Sequence, residues 1–497
     1  MKVLDRLRRP AAVIFLTVAL ACGWYYAQGS WNQNARYDMI YSFVEPGTPD
    51  FLTFRIDHFH LIWKGKTVFN TGDWAFHDGH YYSNKAPGAS LLGIPVYAAL
   101  YWLEYPFHRG IIPAGLDMFN AWAINFAVSV LPVAAAAAVF FKTLLLLGFG
   151  RRRAVFWSLA LVLATPIWPY STMMWGHPLA AAALVFALYC RVRQQKYDLY
   201  LCGLWCGFAV LTDYLAAPAA VAFGVYSLLR SPKTVWKFAA GGLPMLFVFA
   251  AYHTWCFGAP FTPATVFNNP MFLEPDKVGG VLGAFSPAVA WNLLFGVRRG
   301  IFLFSPLLLA AIPGFFAWLK RDRAAAWCAA GAFLAALFVN AGFNGWHGGN
   351  STCARYLIPL LPCLVFLAAA WNPRNRAVRN GILLVAAFSC FNMLTVTSAT
   401  PLLKEAIGNP LYGASYDLFF SGARRLMPND GIRFYIAQPE WAHWFRWSSF
   451  SAGTLAGLSA LGSLLVFLGL LLIVMFPLLP VRIRRRGPPR STGRNAG

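Results

Sequence analysis

AGLDMFNAWAINFAVSVLPVAAAAAVFFKTLLLLG, residues 114–148, carries only Asp117 and Lys142 as charges and is followed three residues later by Arg151-Arg152-Arg153. An apolar stretch of this length is a transmembrane helix candidate, because a hydrocarbon core of about 30 Å takes about 20 helical residues. The arginine triplet at its end reads as a cytoplasmic anchor. The same alternation recurs along the chain. Apolar runs at 11–28, 114–148, 154–172, 178–191, 198–212, 214–229, 236–256, 301–319, 324–342, 356–372, 380–399 and 453–480 predict twelve spans with both termini cytoplasmic. A further stretch, Gly88 to Glu104, is short. Counting it as a span would put Arg151–Arg153 outside, so it is expected to lie half-embedded in the interface. The first run lacks a small-residue cleavage site and is expected to act as a signal anchor.

Composition agrees. Of 497 residues, 58% are hydrophobic and 12% charged, against about 25% charged in a soluble domain. A water-soluble globule of this make-up would expose large apolar patches, and disorder is excluded by the same balance. The net charge of +23 does not point to nucleic acid. Twenty-five of the 41 Lys and Arg residues lie in seven short clusters between the runs, with only Asp5, Asp198 and Asp322 beside them, so almost the whole excess falls on one face.

The expected fold class is therefore an all-α polytopic membrane protein of about 12–13 transmembrane helices. A long first extracytoplasmic loop would carry amphipathic juxtamembrane helices. Residues 1–480 form one integral membrane domain, with outer loops at 29–87, 257–300, 343–355 and 400–452, and 481–497 is a basic cytoplasmic tail. The predicted location is the inner (plasma) membrane. The nine cysteines are scattered, mostly within apolar runs, and suggest neither a disulfide framework nor a zinc site. No phosphate-binding glycine motif occurs, and the cytoplasmic turns leave no room for a nucleotide site.

Chemistry is thus expected on the outer face, where activated groups come from lipid carriers rather than nucleotides. The first outer loop holds Asp38, Glu45, Asp50, Asp57, Asp73 and Asp78, four histidines (His58, His60, His77, His80) and the bases Arg36, Arg55, Lys64, Lys66 and Lys85, interleaved with aromatics. It ends in Tyr81-Tyr82-Ser83-Asn84-Lys85-Ala86-Pro87-Gly88 before an apolar helix. Further on stand Trp175-Gly176-His177-Pro178, Arg298-Arg299-Gly300-Ile301-Phe302-Leu303-Phe304-Ser305-Pro306, and Trp346-His347-Gly348-Gly349 followed by Ala354-Arg355-Tyr356-Leu357-Ile358-Pro359.

In their order along roughly 30–400, these pieces resemble the GT-C superfamily of integral membrane glycosyltransferases, which includes the protein O-mannosyltransferases and the lipid A aminoarabinose transferase. Lys85-Ala86-Pro87 is similar to that group's Lys-Pro-Pro-like turn. The paired Asp-Glu common early in its first loop is absent; Asp38 stands alone after Arg36-Tyr37. The resemblance implies a single displacement, in which an acceptor hydroxyl attacks the anomeric carbon of a polyprenyl-phosphate sugar. A carboxylate would take the proton, and cations would hold the departing phosphate.

Asp38, Asp57 and Asp73 are the candidate bases. Asp73 could equally cap a helix, and Glu45, before Pro46-Gly47, reads as a turn residue. Arg36, Lys85, His177, Asp213, Arg298, Arg299, His347 and Arg355 are candidates for substrate binding. For Lys85 and the arginines the competing role is anchoring at lipid headgroups, and for the lone histidines it is a structural one. Asp213 lies at membrane depth between two runs, where a carboxylate is a functional candidate by default. His58 and His60 are too few for a zinc site; no metal ligands are assigned, and a divalent metal is possible but not indicated. The expected partners are membrane lipid, a polyprenyl-phosphate sugar as co-substrate, and a glycan, lipid or protein acceptor. A lipid-linked-sugar transporter or flippase, and an O-antigen polymerase or ligase using Arg424, Arg425, Arg433 and Arg446 of the late loop, are the alternatives. A transporter should keep its ionisable residues near mid-membrane, whereas here they cluster in one early loop.

Overall fold

The computed structural model describes residues 2–27, 30–63, 66–69, 71–110, 112, 114–420 and 450–478. Lys64, the late-loop arginines Arg424, Arg425, Arg433 and Arg446, and the basic tail lie outside the described residues. The chain is an all-α polytopic membrane protein. Its helices are α1 (Lys2–Gly23), α2 (Trp31–Val44), α3 (Gly88–His108), α4 (Ala114–Asn125), α5 (Leu131–Leu146), α6 (Arg151–Leu163), α7 (Ile167–Ser171), α8 (Gly176–Arg193) and α9 (Asp198–Thr212). They continue as α10 (Ala217–Arg230), α11 (Trp236–Phe257), α12 (Pro287–Leu294), α13 (Ile301–Phe304), α14 (Ala311–Leu319), α15 (Arg323–Gly342), α16 (Leu361–Ala370), α17 (Arg376–Ala399) and α18 (Tyr416–Phe420), and the last long helix is Ala460–Met475.

Every predicted apolar run is largely helical, but the runs differ in length. Among the described residues, five segments are long and apolar enough to cross a membrane: Leu116–Leu146, Pro232–Phe257, Arg323–Gly342, Arg376–Ala399 and Ala460–Leu478. The others are shorter or interrupted, and the interruptions have causes in the sequence. Asp213 ends α9 and caps the next turn by accepting from the Leu215 N–H at 3.1 Å. Pro306 divides α13 from α14 through a 3₁₀ turn. At the other end of the bundle, Asp322 accepts from the Ala325 N–H at 3.0 Å and starts α15.

Helices meet closely where side chains are small. Gly203 of α9 faces the Phe238 carbonyl of α11, and Gly241 of α11 faces the Tyr200 carbonyl of α9. A methyl group at either position would run into backbone, so the two glycines set the interhelical distance. Gly241→Val is expected to lower stability by about 1–3 kcal/mol or more, read as a fall in the thermal unfolding midpoint in detergent.

Two parts of the expected arrangement gain detail. The stretch from Gly88 is a continuous helix of 21 residues, about 31 Å long. One side buries Gly93, Tyr97 and Tyr101, while Trp102, Leu103 and Phe107 are exposed. Among its described residues the first outer loop mixes helix with strand. It holds one helix, α2, which is polar in sequence yet buried nearly all round, with Asn32, Gln33, Asn34, Arg36, Asp38 and Ser42 inside. Two antiparallel hairpins follow, β2 (His60–Trp63) with β3 (Lys66–Phe69), and β4 (Trp74–His77) with β5 (His80–Ser83). A further short pairing, β1 (Tyr25–Tyr26) with β6 (Phe450–Ser451), ties the end of α1 to the approach of the last helix.

Candidate active site

A buried helix as polar as α2 must find partners for its side chains. It starts at Ser30, whose hydroxyl accepts from the Gln33 N–H at 3.3 Å. Gln33 Nε2 donates to the Ala27 carbonyl at 2.9 Å. Arg36 reaches across to the turn before α3, donating from Nη1 to the Ala86 carbonyl at 2.9 Å and from Nε to Asn32 Oδ1 at 3.3 Å. The guanidinium is thereby seated on the Lys85-Ala86-Pro87 turn.

Two glycines let the neighbouring segments close around it. A Cβ on Gly88 would stand 2.6 Å from Thr212 Oγ1 and 2.9 Å from the Leu211 carbonyl oxygen. A Cβ on Gly176 would strike the Thr212 carbonyl and come within 3.2 Å of Arg36 Nη2. The turn before α3, the start of α8 and the end of α9 therefore converge because both positions lack side chains. Gly176→Ala is expected to push Arg36 out of place. The expected stability loss is about 1–3 kcal/mol, read by thermal melting.

Around this junction six of the sequence candidates come together: Arg36, Asp73, Lys85, His177, Asp213 and Arg355. Lys85 Nζ is 3.0 Å from Asp73 Oδ1, and both side chains are largely buried. Arg36 and Lys85 each feel the charges of Asp73 and Arg355, and Arg36 also feels Asp213. Asp213 binds His177 Nδ1. The other ring nitrogen, Nε2, is buried with no partner among the described residues, as are Arg355 Nε and Thr212 Oγ1. Arg355 Nη2 donates to Tyr356 Oη at 2.8 Å, and its guanidinium lies 4.5 Å from the Trp175 ring centre. Trp175 in turn donates to Ser30 Oγ at 3.2 Å. The cluster thus draws on five separated segments, and its three basic side chains, Arg36, Lys85 and Arg355, outnumber its two carboxylates. Burial pulls Arg36 down to about 10, leaving it charged at neutral pH. Burial also lowers Lys85, against the opposing pull of Asp73.

The remaining candidates are placed elsewhere. Asp38 is buried on α2, but it stands two residues from Arg36 and so projects from a different side of the helix. Asp57 fastens the second hairpin, accepting from the Tyr81 N–H at 2.7 Å and meeting His80 Nδ1 at 2.8 Å. Arg299 is fully buried and spends its donors on backbone: on the carbonyls of His347 at 2.5 Å, Ser351 at 2.6 Å and Gly349 at 2.8 Å. It shapes the loop before Arg355 instead of offering a fork to a ligand. Arg298 donates to the Glu405 backbone carbonyl at 2.7 Å, and His347 Nδ1 lies 3.1 Å from the Glu405 carboxylate. These ties explain why an arginine pair and a histidine beside Gly348-Gly349 looked like ligand groups. The sequence showed the polar atoms but not Glu405, which lies more than a hundred residues from Arg298. Burial and the nearby Arg298, Arg299 and Arg355 lower His347 despite Glu405.

Trp175 and Tyr356, which the sequence offered only as parts of motifs, belong to the cluster, as does Asn32, which it did not single out. The signal that could have found Asn32 is the density of amides in Asn32-Gln33-Asn34, directly after a membrane span. Among the described residues, no three of His, Cys, Asp or Glu converge as a metal-holding group.

No family model matches the chain, and no curated protein matches it. Among solved structures it is similar to ArnT from Cupriavidus metallidurans in the apo state, at 17% identity, over 95% of this chain and 77% of that one, with a TM-score of 0.46. It is also similar to the same protein bound to undecaprenyl phosphate, at 15% identity, over 95% of this chain and 76% of that one, with a TM-score of 0.45.

Proposed function

We propose that the chain is a membrane glycosyltransferase that uses a polyprenyl-phosphate-linked sugar and works at the end of the bundle away from the arginine clusters. The observation that carries this reading is the meeting of Arg36, Lys85 and Arg355 around the ion pair of Lys85 with Asp73. Three cations with excess charge in a largely buried setting suit a phosphate monoester or diester. Water would screen such charges at an exposed surface, but here the field stays strong. His177 begins α8 and Arg191 lies near its far end, about 21 Å away along the helix axis. The cradle therefore opposes the face predicted to be cytoplasmic.

The step needs no nucleotide. The acceptor hydroxyl oxygen forms a bond to the anomeric carbon of the donor. The bond from that carbon to the phosphate oxygen breaks, and its electron pair leaves with the polyprenyl phosphate. Arg36, Lys85 and Arg355 stabilise the charge gathering there. The acceptor proton goes to Asp73. When the lipid phosphate engages Lys85, the lysine's hold on Asp73 weakens and leaves the carboxylate free to meet the acceptor hydroxyl. Asp213 orients His177, whose Nε2 can then hydrogen-bond a sugar or acceptor hydroxyl. The buried ring of Trp175 and the ring of Tyr356 both carry the Arg355 guanidinium and hold it in place beside the sugar phosphate.

The test is turnover. Purified protein in nanodiscs is given radiolabelled polyprenyl-phosphate sugars with membrane extract as acceptor pool. Label leaving the lipid for another molecule is the expected result. Label that reaches the opposite leaflet of proteoliposomes while still on the lipid would replace the enzyme by a transporter.

The lowered Lys85 gives a pH dependence. The ammonium must be protonated to hold phosphate, so affinity is lost as pH rises through its pKa in the fold. That pKa lies below the ordinary lysine value of about 10.4. Binding of polyprenyl phosphate should weaken in the alkaline range earlier than free-lysine titration allows, and Lys85→Arg should move the loss to higher pH. Isothermal binding measured across an alkaline pH series checks both.

A further inference from the structure

We propose that the basic end of the bundle holds a structural anionic phospholipid, one acyl chain inside a cavity and its phosphate beside Arg191. The cavity measures about 210 Å³ and is walled mainly by Leu184, Leu188, Phe223, Trp318, Ala329 and Phe366, from α8, α10, α14, α15 and α16. An apolar cavity of about 150 Å³ stays dry and admits a benzene ring, so a larger one with such walls takes a hydrocarbon chain more readily than water.

Its polar lining is asymmetric. Arg191 lines the cavity, is 8% exposed, and has a buried Nε without a partner among the described residues. Its guanidinium lies 4.8 Å from the Tyr226 ring centre. Asp322 also lines the cavity, but its carboxylate is already engaged. It accepts from Tyr226 Oη at 2.8 Å and from the Ala325 N–H, and it pairs with Arg230 at 2.5 Å. Behind the Trp318 wall, Arg321 lies over the Trp318 ring, and Arg153 and Arg321 lie 4.6 and 4.8 Å from the Phe149 ring centre. Arg153 Nε and Nη2 are buried without partners among the described residues. An apolar hole flanked by cations that lack counter-charges matches a lipid with an anionic head. The occupant is assigned to phospholipid and not to the sugar carrier because the phosphate cradle lies at the opposite end of α8, about 21 Å away. The inference does not depend on the glycosyltransferase reading.

The test uses full-length protein in nanodiscs containing phosphatidylglycerol or phosphatidylcholine with a photoactivatable group on one acyl chain, and maps the cross-links by mass spectrometry. Phosphatidylglycerol should label peptides bearing Leu188, Phe223 and Ala329 at least tenfold more than phosphatidylcholine does. Arg191→Gln should remove that preference and Arg191→Lys should largely keep it. Ala329→Phe, which fills the cavity, should abolish labelling of these peptides while the protein still melts cooperatively. Equal labelling by both lipids, or unchanged labelling in Arg191→Gln and Ala329→Phe, would overturn the proposal. So would displacement of the probe by undecaprenyl phosphate but not by excess phosphatidylglycerol, because the occupant would then be the carrier.

Discussion

Asp73→Asn is expected to lower sugar transfer by about 10²–10⁴-fold, the range for losing a positioned general base, while polyprenyl phosphate binds as well as before or better. The two effects part because Asp73 competes with the lipid for Lys85, from which it stands 3.0 Å. Removing its charge frees the ammonium for phosphate and takes a negative neighbour away from Arg36 and Arg355. Asp57→Asn gives the contrasting pattern. That carboxylate holds the Tyr81 N–H and His80, so its loss should loosen the second hairpin and reduce thermal stability by about 1–3 kcal/mol, with transfer by the folded fraction close to normal. Single-turnover transfer and binding, measured on the same preparations, separate the two. If Asp73→Asn kept full transfer, the base would have to be found elsewhere, with His177 next because Asp213 already orients it.

Loss of a cradle cation should show the reverse pattern. Lys85→Ala or Arg355→Gln is expected to weaken lipid-phosphate binding by about 10–150-fold each, since hydrogen bonds to charged groups contribute about 1.5–3 kcal/mol. Arg355→Lys should rescue little. Lysine cannot keep both the bond to Tyr356 Oη and the stacking on Trp175 that fix the guanidinium. Equilibrium binding of undecaprenyl phosphate to each variant reads the effect. Arg299→Gln differs again. Its three carbonyl partners lie in the loop before Arg355, so it should destabilise the protein as a whole before it alters lipid preference.

Much of this architecture was legible in the chain because burial in lipid enforces simple patterns. Apolar runs and arginine clusters gave the helices, and Lys85-Ala86-Pro87-Gly88 and Trp175-Gly176-His177 stood out as places where polar groups meet small residues. The choice among Asp38, Asp57 and Asp73 was not legible. All three sit in one loop with aromatic neighbours, and only tertiary pairing separates them: Asp73 with Lys85, Asp57 with a hairpin backbone, and Asp38 on another side of α2 from Arg36. The hairpins were missed for a related reason. Their strands are four residues each, too short for alternation to show among interleaved aromatics. Arg298, Arg299 and His347 looked available because their partners are backbone carbonyls and the distant Glu405, and neither leaves a mark on local sequence.

The most direct test of the phosphate cradle is equilibrium binding of undecaprenyl phosphate against undecaprenol, to wild type and to a Lys85→Ala/Arg355→Gln double variant that melts like wild type. The account predicts that wild type prefers the phosphate by at least about 100-fold, as expected for two or more charge-assisted bonds, and that the double variant loses most of this preference. Equal affinity of wild type for the alcohol and the phosphate, or a preference that survives in the double variant, would contradict it.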